Sequence, residues 1–501
     1  MADESIGRAR EIVRHLRHFE FLDNVLYYDR WQACPAAGFD YENEVNEYVS
    51  ALRAQLLTGD DTRRVVEGLS GRHAGDFDTD VDRGVARYLT RRYEEATKLP
   101  VELSAELGRV CAEGQKEWEA CYKADDFKAF LPTLRRQFEV QRRVADAIDP
   151  NARVYQVLVD RNDPSYSIEE LDGFFARLKQ VIPEVLRSSA DAWAKVDAGV
   201  LLRAEEGRTP EATDALCAAA RAALGADPER IVPFKNHHPV TVCMGPADSR
   251  ASTYEDGAAG LFRTVQAMVH ETGHAMYSYS SSPEVVAAGL WGGIDGFMHE
   301  SQSRFCENHI ARTEAFWGVL APTLRERFPG VADVSVHDLV LAMNKPNPCV
   351  NRQAADELTY PLHIIIRYEI ERDYFDGALA LEDIEDAWNA KYEQYLGVRP
   401  KNRQEGVLQD VHWASGCVGY FPSYALGDIY AAQFDHALRA EVPDAYERLA
   451  AGDPSGVTGW LAEHVWSHGQ TYTAPETLKV ATGEGLNVEY YLDYLRGRFQ
   501  I

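Results

Sequence analysis

Apolar residues recur at three- and four-residue steps through most of this 501-residue chain. That period fits a helix and not a strand. Ser167 begins the clearest case: its hydroxyl can cap a helix, and Glu170, three positions on, completes a capping box. Leu171, Phe174, Phe175, Leu178 and Ile182 then share one helical face. The same steps link Leu134, Phe138 and Val144, and again Leu362, Ile365, Ile366 and Ile370. One stretch breaks the pattern. Between Ile231 and Thr253, β-branched residues interrupted by prolines and a glycine predict a small sheet or hairpin. Turn-rich joints at 59–61, 161–167, 227–233 and 345–348 are short, and none reads as a long linker. The expectation is a mostly α-helical single domain over residues 1–501. Residues 1–230 form an N-terminal helical lobe, and residues 231–501 form the half that carries the chemistry.

Charge narrows the partners. The net charge of −27 argues against nucleic acid, whose phosphates need a basic face, and gives no attraction to an anionic membrane. No uninterrupted apolar run is long enough to span a bilayer, and the opening MADESIGRAR lacks the pattern of a secretory signal. The eight cysteines contain no Cys-x-x-Cys pair, so a thiolate metal site is not indicated. These features predict a cytoplasmic protein with reduced thiols. Neither a Gly-x-Ser-x-Gly elbow nor a phosphate-binding loop is present.

The strongest local signal is VHETGHAMY, residues 269–277. Leu261, Phe262, Val265 and Met268 precede it and predict a helix with a buried face. His270 and His274, four apart, project from one side of that helix, which suits Zn²⁺. Glu271 sits beside them, placed to act on a water at the metal without being a ligand. Such a pattern also arises by chance, so a third ligand decides. Glu300 in FMHESQSRF lies 26 residues past His274, beyond a glycine-rich stretch; His299 is the alternative. His237 and His238 are neighbours on a stretch read as extended, so their rings diverge.

Several segments together resemble the carboxypeptidase Taq family. In order they are DSRAS (248–252), HETGH (270–274), HESQ (299–302), NRQAAD (351–356) and GVLQDVHW (406–413). DELTYPLHIIIRYEIE and GYFPSYALG agree as well. The resemblance is dense from about His238 to the end and thinner before it. It implies a helical metallopeptidase body with a deep substrate groove, similar to the neurolysin and angiotensin-converting-enzyme type. It also implies a cytosolic homodimer that removes single residues from free peptide C-termini with broad specificity. Zinc is the implied metal, with Co²⁺ or Mn²⁺ used by some members. The resemblance makes Glu300 the third ligand.

The chain departs from the family pattern at Ser252 (usually threonine), Val240 (in place of the phenylalanine of His-Pro-Phe), Asn351, Ser278 and Tyr279. These changes touch specificity more than chemistry, because every expected ligand and the base remain. Glu271 is then the general base, and His412, Tyr420 and Tyr424 are candidate donors to the oxyanion. Arg352, followed by Arg250, is the candidate reader of the substrate carboxylate, since a planar guanidinium binds it with two prongs. His238 is a groove candidate. Asp248, Asp356, Asp410 and Glu307 are expected to orient histidines or arginines. The rival readings are an endopeptidase or dipeptidase on the same scaffold, which needs no carboxylate clamp, and a non-catalytic metal-binding protein, which gains nothing from Glu271.

Overall fold

The computed structural model describes residues 2–294 and 296–500. Helices dominate, and the predicted capping box forms. Glu170 N–H donates to Ser167 Oγ at 3.2 Å while Ser167 N–H donates to Glu170 Oε2 at 2.8 Å. The helix that follows, Ile168–Trp193, buries Leu171, Phe175, Leu178 and Ile182. Phe174 stays half-buried, edge-on to Tyr166. The helix Tyr360–Phe375 is buried around nearly its whole circumference, including His363, Arg367 and Glu371. A helix enclosed on all sides must pair its polar groups internally: His363 Nδ1 lies 2.9 Å from the Tyr392 hydroxyl, Arg367 donates to the His363 carbonyl oxygen at 2.7 Å, and Glu371 accepts from the Tyr155 hydroxyl at 2.9 Å and the Trp413 indole N–H at 2.7 Å.

The break in periodicity is a three-stranded sheet of β1 (Ile231–Asn236), β2 (Thr241–Gly245) and β3 (Asp248–Tyr254). The strand order is β1-β3-β2. β1 runs parallel to β3, and β2 pairs with it antiparallel, with Thr241 opposite Ala251. Pro233 is tolerated because β1 is an edge strand.

The chain forms two compact units, each assembled from three segments. One contains Met1–Thr97, Asp197–Met343 and Tyr430–Leu486; the other contains Lys98–Val196, Asn344–Ile429 and Asn487–Ile501. Neither coincides with residues 1–230 or 231–501, because helical packing joins segments far apart in sequence. In the first unit, Ile12, Val13 and Leu16 of the N-terminal helix Ala2–Gln32 belong to one core with Val85, Leu89 and Leu290. Among the described residues, no helix is long and apolar enough to cross a membrane.

Candidate metal centre and arginine cluster

The helix Leu261–Tyr279 carries HETGH and buries Leu261, Val265, Met268, Val269 and Met276. The next ligand comes from the helix Phe297–Arg304. Gly273 lets the two helices approach: a Cβ there would stand 2.9 Å from the Gln302 carbonyl oxygen and 2.9 Å from Ser303 Cα. The close packing brings Glu300 Oε2 to 3.7 Å from His270 Nε2 and 3.6 Å from His274 Nε2. Ligands about 2.0–2.2 Å from a tetrahedral ion lie about 3.3–3.6 Å apart, so the three donors fit one cation. Among the described residues, they form the one group of three or more suitable side chains.

Charge supports the fit. Burial alone would depress the His270 imidazolium, yet Glu300, Glu307 and Glu271 raise its pKa to about 9. Burial pushes the Glu300 carboxyl up, and His270, His274 and Arg304 outweigh it and hold it at about 2. The pocket thus favours positive charge between imidazole and carboxylate.

The far side of each ring is also held. His270 Nδ1–H donates to Glu307 Oε2 at 3.0 Å, which leaves Nε2 as the nitrogen whose proton a cation would displace. Glu307 lies on a π-helical turn, Phe305–Ile310, that continues the Glu300 helix. It also accepts from Arg304 at 2.9 Å. His274 Nδ1 meets His299 Nδ1 at 2.6 Å, and His299 Nε2 lies 3.1 Å from the Gly292 carbonyl oxygen. His299 therefore reaches the metal site through His274. The sequence offered His299 as an alternative ligand and gave no signal of this contact.

Glu271 is buried, and its carboxylate accepts from Thr241 of β2 at 2.8 Å. Thr241 carries no mark in the sequence. In β3, Asp248 pairs with Arg250 at 3.3 Å, and the Arg250 guanidinium lies 4.5 Å from the centre of the Tyr28 ring. His238 is exposed in the β1–β2 connection, against His237.

The second unit holds an arginine cluster. Asp410 Oδ1 accepts from Arg352 Nε and Nη2 at 3.0 and 2.8 Å, and Oδ2 accepts from Arg367 Nε at 2.6 Å. Both guanidiniums hold Asp410 well below the usual carboxylate range against the cost of its burial. Two buried cations share this one carboxylate. Arg367 also stacks 4.4 Å over Trp388, and Arg352 lies 5.3 Å from the Tyr424 ring centre. His412 Nε2 is 3.4 Å from the Tyr424 hydroxyl, and the Tyr420 and Tyr424 rings meet edge to face at 5.2 Å. Burial, opposed by Asp410 and aided by Arg352 and Arg367, lowers the His412 pKa to about 4, so the ring is neutral near pH 7. Asp356 accepts from Thr359 N–H and from Asn347 N–H, both at 3.0 Å, and so caps the turn into the helix Tyr360–Phe375. Arg367 was not singled out from the sequence; inside an apolar helical run it is the signal that could have found it.

A mostly helical fold in which an HExxH helix supplies two histidines and a second helix a glutamate to one centre is the arrangement of a metallopeptidase. The sequence profile of the family described as "Carboxypeptidase Taq (M32) metallopeptidase" matches residues 8–499. Carboxypeptidase 1 of Bacillus subtilis is 32% identical over 491 residues, 98% of this chain and 97% of the relative. Thermostable carboxypeptidase 1 of Thermus thermophilus is 34% identical over 419 residues, 81% of each. The crystal structure of an M32 carboxypeptidase from Deinococcus radiodurans superposes with a TM-score of 0.93 at 28% identity, covering 99% of both chains. The chain belongs to the carboxypeptidase Taq family. It is a metallocarboxypeptidase, a peptide hydrolase that works with a divalent metal.

Proposed function

We propose that this enzyme is a zinc carboxypeptidase of broad specificity in which Glu271 is the general base. The observation that carries the reading is the convergence of His270, His274 and Glu300 beside the buried carboxylate of Glu271. Zn²⁺, with Co²⁺ or Mn²⁺ as substitutes, matches two imidazoles and a carboxylate. Bound there, the cation supplies Lewis acidity, polarising the scissile carbonyl and lowering the pKa of water towards about 7. Glu271 takes a proton from the attacking water and returns it to the leaving amine. Glu307 and His299 hold the two rings so that Nε2 of each is turned toward Glu300, where the three side chains would hold the cation.

Arg352 is proposed to bind the free C-terminal carboxylate. The buried positive charge it shares with Arg367 around Asp410 supports that role. Asp410 then orients Arg352. His412, Tyr420 and Tyr424 are proposed donors to the developing oxyanion, and the neutral His412 ring suits hydrogen bonding. Arg250 and His238 remain proposed substrate contacts, and Asp248 and Asp356 proposed supports. One peptidase domain over residues 1–501, a homodimeric state and a cytoplasmic location are proposed from the family resemblance. Eight unpaired thiols agree with a reducing compartment.

The test is release of free amino acid from an N-blocked peptide with a free or an amidated C-terminus. It is run with Zn²⁺ added or chelated, and with Glu271→Gln alongside. Release from the free acid only, dependent on metal and lost in Glu271→Gln, is expected. Internal cleavage of both peptides would instead identify an endopeptidase.

A further inference from the structure

One hydroxyl ties the small sheet to the side chain of Glu271, and a second holds it in place. Thr241 Oγ1 lies 2.8 Å from Glu271 Oε2 and 2.8 Å from the Glu271 carbonyl oxygen. A threonine hydroxyl carries one proton, so the two acceptors compete for it. The other carboxylate oxygen, Oε1, has no hydrogen bond among the described residues. Thr241 is itself anchored. It stands opposite Ala251 in the β2–β3 ladder, and the buried Ser252 grips the residue before it. Ser252 Oγ accepts from Val240 N–H at 2.7 Å and donates to the Val240 carbonyl at 3.1 Å. Ser252 N–H donates to the same carbonyl at 2.9 Å. The hydroxyl that DSRAS retains at its last position thus fixes the start of β2 and, through it, Thr241.

The geometry points to Thr241 as a positioning residue for the Glu271 carboxylate, a role that rests on Glu271 being the base. Its hydroxyl engages Oε2 and holds one rotamer of the side chain. The proton leaving the attacking water is received on Oε1 as the new C–O bond forms. It passes from Oε1 to the amine nitrogen as the C–N bond breaks.

Thr241→Val keeps the shape and removes the hydroxyl, whereas Thr241→Ser keeps the hydroxyl. Both are assayed as metal-loaded enzyme, with metal content and thermal unfolding measured on the same samples. Thr241→Val is expected to lower kcat about tenfold to hundredfold, the scale of a lost hydrogen bond to a charged group. KM is expected to stay within about twofold and metal content to stay unchanged. Thr241→Ser is expected to recover most of the rate, and Thr241→Ala stands in if the valine variant does not fold. Full kcat in Thr241→Val, equal losses in the valine and serine variants, or a rate loss explained by lost metal would each overturn the assignment. Glu271→Gln separates the two levels. If that variant keeps its kcat, the base reading itself fails. If it is inactive while Thr241→Val is fully active, only the role of Thr241 fails.

Discussion

Glu307 gives the sharpest quantitative test of the metal centre. Its Oε2 accepts from His270 Nδ1–H at 3.0 Å and from Arg304 at 2.9 Å. Glu307→Ala removes the acceptor that selects the His270 tautomer, and it removes a carboxylate partner of Arg304. A hydrogen bond involving a charged group contributes about 1.5–3 kcal/mol, and each 1.4 kcal/mol is a factor of about ten. Metal affinity is therefore expected to fall about tenfold to hundredfold, the range found for partners of ligating histidines. Glu307→Gln retains an oxygen for Nδ1–H and loses only the charge, so its loss should sit at the lower end. The assay is competition with a chelator of known affinity at fixed pH, with circular dichroism to verify the fold. An alanine variant that binds metal within about twofold of the wild type would refute the idea that this contact sets the donor atom.

Gly273→Ala would push the HETGH and Glu300 helices apart, since the new Cβ would meet backbone at 2.9 Å. Metal affinity measured by the same competition should fall more steeply than thermal stability. Arg352→Lys keeps the charge but not the fork that binds Asp410 through two nitrogens. KM for free-acid peptides should rise about tenfold or more while metal affinity stays unchanged. His412 gives a pH signature. Its ring takes a proton near pH 6.5 when unfolded and only near pH 4 when folded. The unfolded state binds more protons between those values, so stability falls as pH drops from about 6.5 to 4, by about 3 kcal/mol at most. In urea titrations His412→Phe should lose less stability over that window than the wild type; identical slopes would refute it.

Much of this protein was legible in its sequence because the information is local. A helical period over four turns fixes a helix, as from Ser167 to Ile182, because burial of one face is decided by spacing alone. The i, i+4 step placed His270 and His274 on one side, since a helix has a fixed pitch. What the sequence could not carry was contact between distant segments. Asp410 lies between Arg352 and Arg367, His299 lies behind His274, and Thr241 touches Glu271 across 30 positions. A single boundary near residue 230 missed the division into two units because each is assembled from three separated segments. Local spacing decides which face of an element is apolar or ligating. Only close packing decides which faces meet, and at Gly273 that choice requires a residue without a Cβ, since a Cβ would meet backbone at 2.9 Å.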